Sequence, residues 1–308
     1  MIKIIIFLLV VNFVQAYKHL SLIKSIRIDS SKISKTPNFS GLTTDGTSLY
    51  TVSDRGGLHS IYKLISTKNS TTLKVIKYLD FPENFLNDYK KSTQSFRRID
   101  FEGLCFAKDR FYVINETMRD VLSLKLTGQA ELIRIPFNSF HKNKMNPFSG
   151  VVNAGLEAIS CDSQNNKLYL FNERQFRMAY EYDIKTKYIT KQFTFPSGNS
   201  FPKALKKDGS RWLFADFAGS HYQDGLLYVL VRNRRMIVKY NPKTMKIIER
   251  RVYTKFEKPL YDTNEEFGLG EGLTILGDKL YVIFDNNGFA LKGTKNDTSS
   301  SLLVFKKF

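Results

Sequence analysis

Apolar and polar residues alternate with period two along most of this chain, and short runs of β-branched and aromatic residues end at Gly, Asn, Asp or Pro. Such alternation is typical of strands that turn one face toward a core. Convincing runs of the 3.6-residue apolar spacing that predicts an amphipathic helix are absent from the sequence. We therefore predict an all-β protein.

A pair of strands recurs five times at similar spacing. Each copy starts at an acidic or glycine-flanked position, and its second strand carries Leu-Tyr or Phe-Tyr and usually ends in a carboxylate. The copies run from Ser40 to Asp54, Glu102 to Glu116, Glu157 to Glu173, Asp216 to Arg232 and Glu271 to Asp285. Two further strand-like runs follow each of the first four pairs. Four antiparallel strands per repeat, arranged radially, predict a single β-propeller.

The fifth repeat is incomplete, because the chain ends after its third strand, Leu302–Phe308. A strand-like run that precedes the first repeat, Leu20–Asp29, is available as the missing outer strand. We predict that it completes the last blade and closes the ring, since an unpaired final blade would expose a sheet edge. The number of repeats predicts five blades. Six blades, the alternative, would need another blade hidden in a connecting segment.

The first 16 residues have the composition of a signal peptide, with Lys3, an apolar run and the small-residue ending Val14-Gln15-Ala16. The apolar run is too short to span a bilayer. An uncleaved anchor is therefore the weaker alternative, and we expect cleavage near Ala16-Tyr17. The expected product is a secreted or periplasmic monomer whose residues 17–308 form one domain.

Basic residues give the chain a formal net charge of +18 at pH 7. Such an excess is common in proteins that bind nucleic acid or other polyanions. Here the basic residues are scattered, with modest clusters at 203–207 and 232–235. A solvated basic surface is the favoured interpretation and a polyanionic ligand is the alternative; we do not expect nucleic acid to be the partner.

Repetition also concentrates acidic side chains. In neighbouring antiparallel strands the start of one lies beside the end of the next, so the marker residues gather at one end of the ring. The predicted metal-binding set is Asp54, Glu102, Glu116, Glu157, Glu173, Asp216, Glu271 and Asp285. Crowded carboxylates repel one another, so a positive charge must compensate them. Calcium, which prefers oxygen ligands, would do so, as would the nearby arginines Arg55, Arg119, Arg174, Arg177 and Arg232.

Taken singly, an acid at a strand end is usually a turn residue or a cap for backbone N–H groups. Glu102, Glu157 and Glu271 differ, because they recur before Gly or Ala and an apolar residue. We predict that these three glutamates form a central polar site. The repeated tyrosines of the second strands are expected to pack between blades. The histidines lack metal-ligand spacing, and neither a Gly-x-Ser-x-Gly elbow nor a P-loop occurs in the sequence.

The chain has two cysteines, on equivalent strands of neighbouring repeats. Export would permit a disulfide. Cys161 lies one residue further from its marker glutamate than Cys105 does. Since side chains alternate between the faces of a strand, this offset predicts that the two side chains point to different faces. We therefore expect two buried thiols.

In order along the chain, these motifs resemble the secreted phytase-like family, also called the esterase-like-activity-of-phytase domain. The resembling stretches are residues 40–43, 52–56, 100–104, 153–158, 224–232, 270–274 and 285–287. The resemblance extends over nearly the whole mature chain, and it implies an exported β-propeller with phosphoester or ester hydrolysis. One position departs from the family, which tends to carry Leu-Glu-Arg where this chain has Leu230-Val231-Arg232. The chain also resembles calcium-activated nucleotidases more loosely, because only the five-bladed architecture and the acids at strand ends correspond.

From the acidic opening and the nearby arginines we predict a calcium-dependent hydrolase of a small phosphate-bearing or ester substrate. Its expected catalytic residues are Glu102, Glu157 and Glu271, and the expected anion-binding residues are Arg55, Arg174 and Arg232. The alternative is a non-catalytic, calcium-stabilised binding or scaffold propeller. That alternative is motivated by Val231 and by the lack of an identifiable nucleophile.

Overall fold

Strands dominate the computed structural model, so the protein is all-β, as predicted. The structure describes residues 17–33, 37–67, 71–92, 99–141, 155–173, 178–195, 204–205, 212–213, 215–263 and 268–308. The predicted signal peptide, residues 1–16, lies outside the described residues. Within these ranges, no helix has the length and apolarity needed to cross a membrane.

Five antiparallel units follow one another along the chain. Two strands precede them, β1 (Lys18–His19) and β2 (Leu22–Asp29). The first unit contains β3 (Phe39–Thr44), β4 (Leu49–Ser53), β5 (Ser60–Ser66) and β6 (Thr72–Asp80). The second unit contains β7 (Phe101–Ala107), β8 (Arg110–Asn115), β9 (Asp120–Lys125) and β10 (Ala130–Ile133). The third contains β11 (Leu156–Asp162), β12 (Lys167–Asn172), β13 (Met178–Asp183) and β14 (Tyr188–Thr194).

A short pair, β15 (Ala204–Leu205) and β16 (Trp212–Leu213), lies between the third and fourth units. The fourth unit contains β17 (Phe217–Gln223), β18 (Leu226–Val231), β19 (Met236–Asn241) and β20 (Lys246–Val252). The last contains β21 (Gly270–Leu276), β22 (Lys279–Phe284) and β23 (Ser301–Lys306). Within the described residues, three short α-helices occur in connecting segments, namely α1 (Glu83–Ser92), α2 (Phe137–Phe140) and α3 (Thr254–Glu257), and one turn of 3₁₀ helix spans Arg232–Arg234.

The N-terminal strand β2 supplies the fourth strand of the last unit, as the sequence predicted. It pairs antiparallel with β23, with Ile26 opposite Leu302. It also pairs in parallel with β6 over Arg27–Asp29, which joins the first and last units in one eight-stranded sheet. Similarly, β1 extends the fourth unit by pairing in parallel with β20. The sheets therefore do not divide cleanly into five separate blades.

The first strands of the five units contact one another in a closed order, β3, β7, β11, β17, β21 and back to β3. Glycine makes this close approach possible. A Cβ atom at Gly272 would lie 2.7 Å from the backbone of Gly41 and Leu42. Gly41 itself has φ +64° and faces the carbonyl oxygen of Glu102. Glycine follows Ser40, Glu102 and Glu271, and alanine follows Glu157, so a small residue at this position lets neighbouring first strands approach closely.

Aromatic side chains fill the space between units. Tyr50 of the first unit packs edge-on against Phe111 of the second, with ring centroids 5.1 Å apart. Tyr169 of the third unit stacks on Tyr222 of the fourth at 5.2 Å. These contacts confirm that the repeated tyrosines pack between units. They hold the units together at about 0.5 to 1.5 kcal/mol per pair beyond the burial of apolar area.

The prediction of two free thiols is wrong, because Cys105 and Cys161 form a disulfide with their Cα atoms 5.8 Å apart. Their strands, β7 and β11, are first strands of adjacent units that pack against each other. Stacked sheets meet through opposite faces, so two side chains that bridge them must point to opposite faces of their own strands. The one-residue offset that seemed to separate the sulfur atoms is what brings them together.

Candidate functional site

The first strands have register shifts at the three repeated glutamates, so the side chains of these glutamates do not follow the regular two-residue alternation. The pairing with the second strand shifts between Leu156 and Ala158, and again between Gly270 and Gly272. These shifts leave Glu157 and Glu271 without a partner residue across the sheet. A similar shift spans Glu102. Such β-bulges bend a strand and re-aim a side chain, and they are frequent next to active sites.

The residues that end the second strands occupy equivalent positions. The backbone N–H of each donates to a carbonyl that lies just ahead of the first strand, as in Glu116 N–H to Asp100 O at 3.1 Å and Arg232 N–H to Asp216 O at 2.9 Å. Asp216 is therefore equivalent to Asp100, and not to the bulged glutamates with which the sequence pattern had aligned it. Ala218 occupies the bulge position of the fourth unit.

Arg232 brings four carboxylates together. Its Nε donates to Asp216 Oδ2 at 3.1 Å and its Nη2 to Asp216 Oδ1 at 3.2 Å. Nη2 also donates to Glu173 Oε1 at 3.1 Å. Nη1 donates to Glu271 Oε2 and lies 3.2 Å from Glu157 Oε1. All three guanidinium nitrogens thus contact carboxylates.

This arginine is only 8% exposed, and Glu157 is 4% exposed. Burial alone would lower the pKa of Arg232, but Asp216, Glu271, Glu157 and Glu173 outweigh it and raise the pKa well above its usual range. The guanidinium therefore stays charged. It acts as a fixed counter-charge, which is the compensation that the sequence led us to expect from either arginine or calcium.

Among the described residues, two overlapping groups of carboxylates could hold a metal ion. Asp100, Glu102 and Glu116 form one group, and Glu116, Glu157 and Glu173 form the other. In each group, one oxygen from every residue lies within 4.8 Å of the others. Oxygen-only donor sets suit hard cations such as calcium.

Charge repulsion is strong around the first of these groups. Burial, followed by the carboxylates of Asp54 and Asp100, raises the pKa of Glu102 well above its usual range. Burial, with Glu271 and Asp54, raises the pKa of Asp285 to about 7. Each of these carboxyls would ionise more readily beside a cation, so cation binding would relieve the repulsion.

Two residues of the site were missed by sequence reasoning. Ser40 donates its hydroxyl proton to Glu102 Oε2 at 2.7 Å. Its position as the first-unit counterpart of the marker glutamates was the available signal. Asp100 joins the first carboxylate group. The available signal was its position two residues before Glu102. Asp216 has the same position relative to Ala218 in the fourth unit.

The predicted metal-binding acids lie at one end of the units, as expected. Arg232 and the two carboxylate groups link most of them, and charge interactions link Asp54 to Glu102 and Asp285. Arg55 lies at the surface and donates to Asn38 Oδ1 at 2.9 Å. Arg174 and Arg177 lie outside the described residues. The ligand, catalytic and anion-binding roles stay predictions.

The family model described as "Phytase-like: Esterase-like activity of phytase" matches residues 35–288. The chain belongs to the phytase-like family. The matched region contains every carboxylate of the two groups and Arg232, so these residues are part of the family domain. Among curated proteins, none matches this phytase-like sequence.

Solved structures resemble the phytase-like chain in fold. Glutaminyl cyclase from Myxococcus xanthus is similar with a TM-score of 0.55 and 10% identity, over 95% of this chain and 99% of that one. The PQQ-bound aldose sugar dehydrogenase from Streptomyces coelicolor has a TM-score of 0.47 and 11% identity, over 93% of this chain and 97% of that one. At 10% identity, the likeness to the glutaminyl cyclase shows the fold alone, which is propeller-like.

Proposed function

We propose that this phytase-like protein is an exported, calcium-dependent hydrolase of phosphoester or ester substrates that acts as a monomer at the acidic end of its units. The observation that carries the proposal is the pair of oxygen-only carboxylate groups around Glu116. Membership of the phytase-like family supports a hydrolase-type activity. The substrate would be small and anionic, or an ester.

The architecture of the proposal is a five-bladed propeller formed by residues 17–308. The closed order of first-strand contacts supports five blades around one axis. The pairing of β2 with β23 supports closure of the ring by the N-terminal strand. In this architecture, the parallel pairing of β2 with β6 is an additional contact between the first and last blades.

In the proposed mechanism, residues of the two carboxylate groups would hold the calcium ion, which would supply Lewis-acid chemistry for the hydrolysis. Glu102 is the best placed general base, because it is partly exposed whereas Glu157 is buried against Arg232. Glu157 and Glu271 would orient the site through that arginine. Arg55 is exposed and is the more accessible of the proposed anion contacts, whereas the donors of Arg232 already contact carboxylates.

Export is part of the same proposal. The signal-like composition of residues 1–16 predicts it, and the disulfide between Cys105 and Cys161 supports an oxidising compartment. The secreted or periplasmic location is tested by N-terminal sequencing of protein from the culture medium or periplasm. The expected mature chain begins near Tyr17.

The hydrolase proposal is tested with purified protein that has been stripped with chelator and then assayed with or without calcium. The substrates are phosphomonoesters, phytate, nucleotides and simple esters. We expect calcium-dependent turnover that Glu102→Gln abolishes and that Glu83→Gln, a change at an exposed residue of α1, leaves intact. Absence of calcium-dependent turnover on every substrate would contradict the proposal.

A second candidate is a non-catalytic binding or scaffold propeller that calcium stabilises. The specific observation in its favour is that Arg232 contacts four carboxylates, so half of the acidic end is already compensated. Val231 stands where the family tends to carry the acid. A calcium-dependent rise in Tm without turnover would favour this candidate, since a ligand that binds only the folded state stabilises it.

A further inference from the structure

Exposed apolar side chains collect at the end of the molecule that lies opposite the acids. In each of the first four units the second strand ends at the acidic end, so the turn between the third and fourth strands lies at the other end. Among the described residues, eight large apolar side chains are more than a third exposed. Seven of them lie within three residues of such a turn, or at the equivalent start of β2 in the last unit. They are Leu22, Ile23, Ile65, Leu126, Tyr188, Met245 and Ile248.

Every unit contributes to this set, which we call the rim. Ile65 belongs to the first unit, Leu126 to the second, Tyr188 to the third and Met245 to the fourth. Leu22 of the last unit lies opposite the penultimate residue of β23. Single exposed apolar residues are ordinary on a protein surface. Their recurrence at one corner of all five units gives a set of apolar points that one broad partner could contact together.

Lysines accompany the apolar side chains of the rim. Lys24 follows Ile23, Lys187 precedes Tyr188 and Lys246 follows Met245 directly in the chain. The exposed lysines beside the rim are Lys24, Lys74, Lys185, Lys187, Lys243, Lys246 and Lys306. Within the described ranges, none of these seven takes part in an ion pair. Their charges are therefore available to an anionic partner.

The acids nearest the rim already have partners. Glu131 pairs with Arg110 at 2.9 Å, and Glu249 pairs with Arg251 at 2.8 Å. Asp183 accepts a hydrogen bond from the backbone N–H of Thr186 in its own turn at 2.8 Å. These contacts reduce the opposing negative charge, so the rim is basic.

Other acids at this end lie closer to the axis, because the first strands surround it. They occupy the turns between first and second strands, at Asp45, Asp109, Asp224 and Asp278. Asp45 accepts from the backbone N–H groups of Thr47 and Ser48, each at 2.8 Å. Asp224 lies 3.4 Å from Lys307 Nζ. The unpaired lysines and the exposed apolar side chains thus share the outer part of this end.

We propose that the rim docks the protein on the surface of an anionic phospholipid bilayer. The apolar side chains enter the boundary between headgroups and acyl chains, and the lysines bind the headgroup phosphates. A second copy of the chain is a poorer partner, since two basic rims repel each other. Nucleic acid would attract the lysines, but its phosphate backbone offers no apolar interior to Leu126, Met245 and Ile248.

Docking through the rim turns the acidic end away from the membrane and toward solution. A site at the acidic end would then stay open to a dissolved substrate. The inference depends neither on calcium binding nor on hydrolysis, so either can fail without affecting it.

The test is co-sedimentation of the full mature chain with lipid vesicles in the presence of chelator, so that calcium cannot bridge the acidic end to lipid. One set of vesicles is phosphatidylcholine, and the other is phosphatidylcholine mixed with phosphatidylglycerol. We expect binding to the mixed vesicles that high salt weakens, and much weaker binding to phosphatidylcholine alone.

Two pairs of lysines form a matched comparison. Lys187→Glu with Lys246→Glu alters the rim, whereas Lys91→Glu with Lys258→Glu makes the same change of charge in connections that follow fourth strands. One lysine near an anionic surface strengthens binding by about 5-fold. The rim pair should therefore weaken vesicle binding by about 25-fold or more, and the other pair by less than about 3-fold.

The apolar part of the rim is tested by Met245→Ser with Ile248→Ser. Vesicle binding should fall by about 10-fold, while retention on duplex DNA stays unchanged. Circular dichroism melting verifies that each variant is folded, and Tyr188→Ser replaces the serine pair if that pair is not.

Absence of binding to the mixed vesicles would overturn the inference, as would equal losses in the two lysine pairs. Unchanged binding of the folded serine variant would overturn it as well, because the apolar side chains would then have no part in docking. Retention on duplex DNA without vesicle binding would assign the lysines to nucleic acid instead.

Discussion

Arg232 and Asp216 form a bidentate pair, in which Nε and Nη2 of the arginine donate to the two carboxylate oxygens at 3.1 and 3.2 Å. The pair arises from the fold, because the backbone N–H of Arg232 also donates to the Asp216 carbonyl. A planar guanidinium fits a carboxylate in this way, and lysine would not. The pair fixes the arginine at the centre of the surrounding acids.

Removal of this arginine should destabilise the protein strongly. Arg232→Met leaves buried carboxylates without their counter-charge, and such a loss typically costs about 3 to 5 kcal/mol. Urea unfolding in the presence of chelator measures the change, and added calcium should restore part of it. Arg55→Met, at an exposed arginine, is the control and should change the free energy of unfolding by less than about 1 kcal/mol. A similarly small effect for Arg232→Met would contradict the counter-charge role.

The buried carboxyl of Glu257 should make stability in chelator fall as pH rises from 5 to 8, whereas His59 and His221, whose pKa values burial lowers to about 4, act in the opposite direction below about pH 6.5. Burial raises the pKa of Glu257 to about 7, although Arg235 opposes the shift. A carboxyl whose folded pKa exceeds its unfolded value stabilises the fold below the unfolded pKa, and this contribution is lost as pH rises through the folded pKa. For Glu257 the window lies between about 4.5 and 7. The raised pKa values of Glu102 and Asp285 act in the same direction.

Thermal melts at pH 5 and pH 8 test this linkage. Glu257→Gln should reduce the pH dependence, because one group of this kind contributes on the order of 2 to 3 kcal/mol. Glu83→Gln should not alter it. Calcium should reduce the pH dependence of the wild type by binding the ionised carboxylates. A pH dependence in chelator that is the same for Glu257→Gln as for the wild type would contradict the prediction.

The disulfide should contribute substantially to stability. It joins residues separated by 56 positions, and closing a loop of that size in the unfolded chain corresponds to about 4 kcal/mol. Reduction, or the paired change Cys105→Ser with Cys161→Ser, should lower the denaturation midpoint accordingly. Thiol titration under denaturing, non-reducing conditions should find no free thiol in protein purified without reductant. Two titratable thiols would show that the bridge does not form.

Ser40 should strengthen calcium binding, because its hydroxyl orients the carboxylate of Glu102. Ser40→Ala removes the hydroxyl that orients the carboxylate, and the loss of one charge-assisted hydrogen bond predicts about 5- to 10-fold weaker calcium binding. Ser40→Thr keeps a hydroxyl and should recover part of the affinity. Ser160→Ala is the matched control, because Ser160 is also a buried serine of a first strand. If Ser40→Ala binds calcium as tightly as the control, Ser40 has no positioning role.

Period-two alternation and the repeated marker were enough to predict the strands, the gathering of acids at one end and the pairing of the N-terminal strand with the last unit. They were insufficient wherever the answer depends on how two sheets face each other. The bridge between Cys105 and Cys161 is one such case, since strand alternation describes each sheet by itself. Asp216 is another, because a bulge shifts the register and spacing along the chain does not reveal it.

Side-chain networks were the least predictable part of the site. The sequence indicated that arginine or calcium would compensate the acids, and it named Arg232 among several arginines. It did not indicate that all three guanidinium nitrogens of Arg232 would contact carboxylates, or that these carboxylates would come from three units. That arrangement depends on distances of a few ångströms across the ring.

The pairing of β2 with β23 places Ile26 opposite Leu302, near the two ends of the chain. During synthesis, β2 leaves the ribosome long before its antiparallel partner exists. One hydrogen-bonding edge of β2 therefore stays unpaired until the residues of β23 have been synthesised. Any truncation of the C-terminus beyond Ser301 would leave that edge permanently open and would turn the N-terminus into a site for pairing between chains.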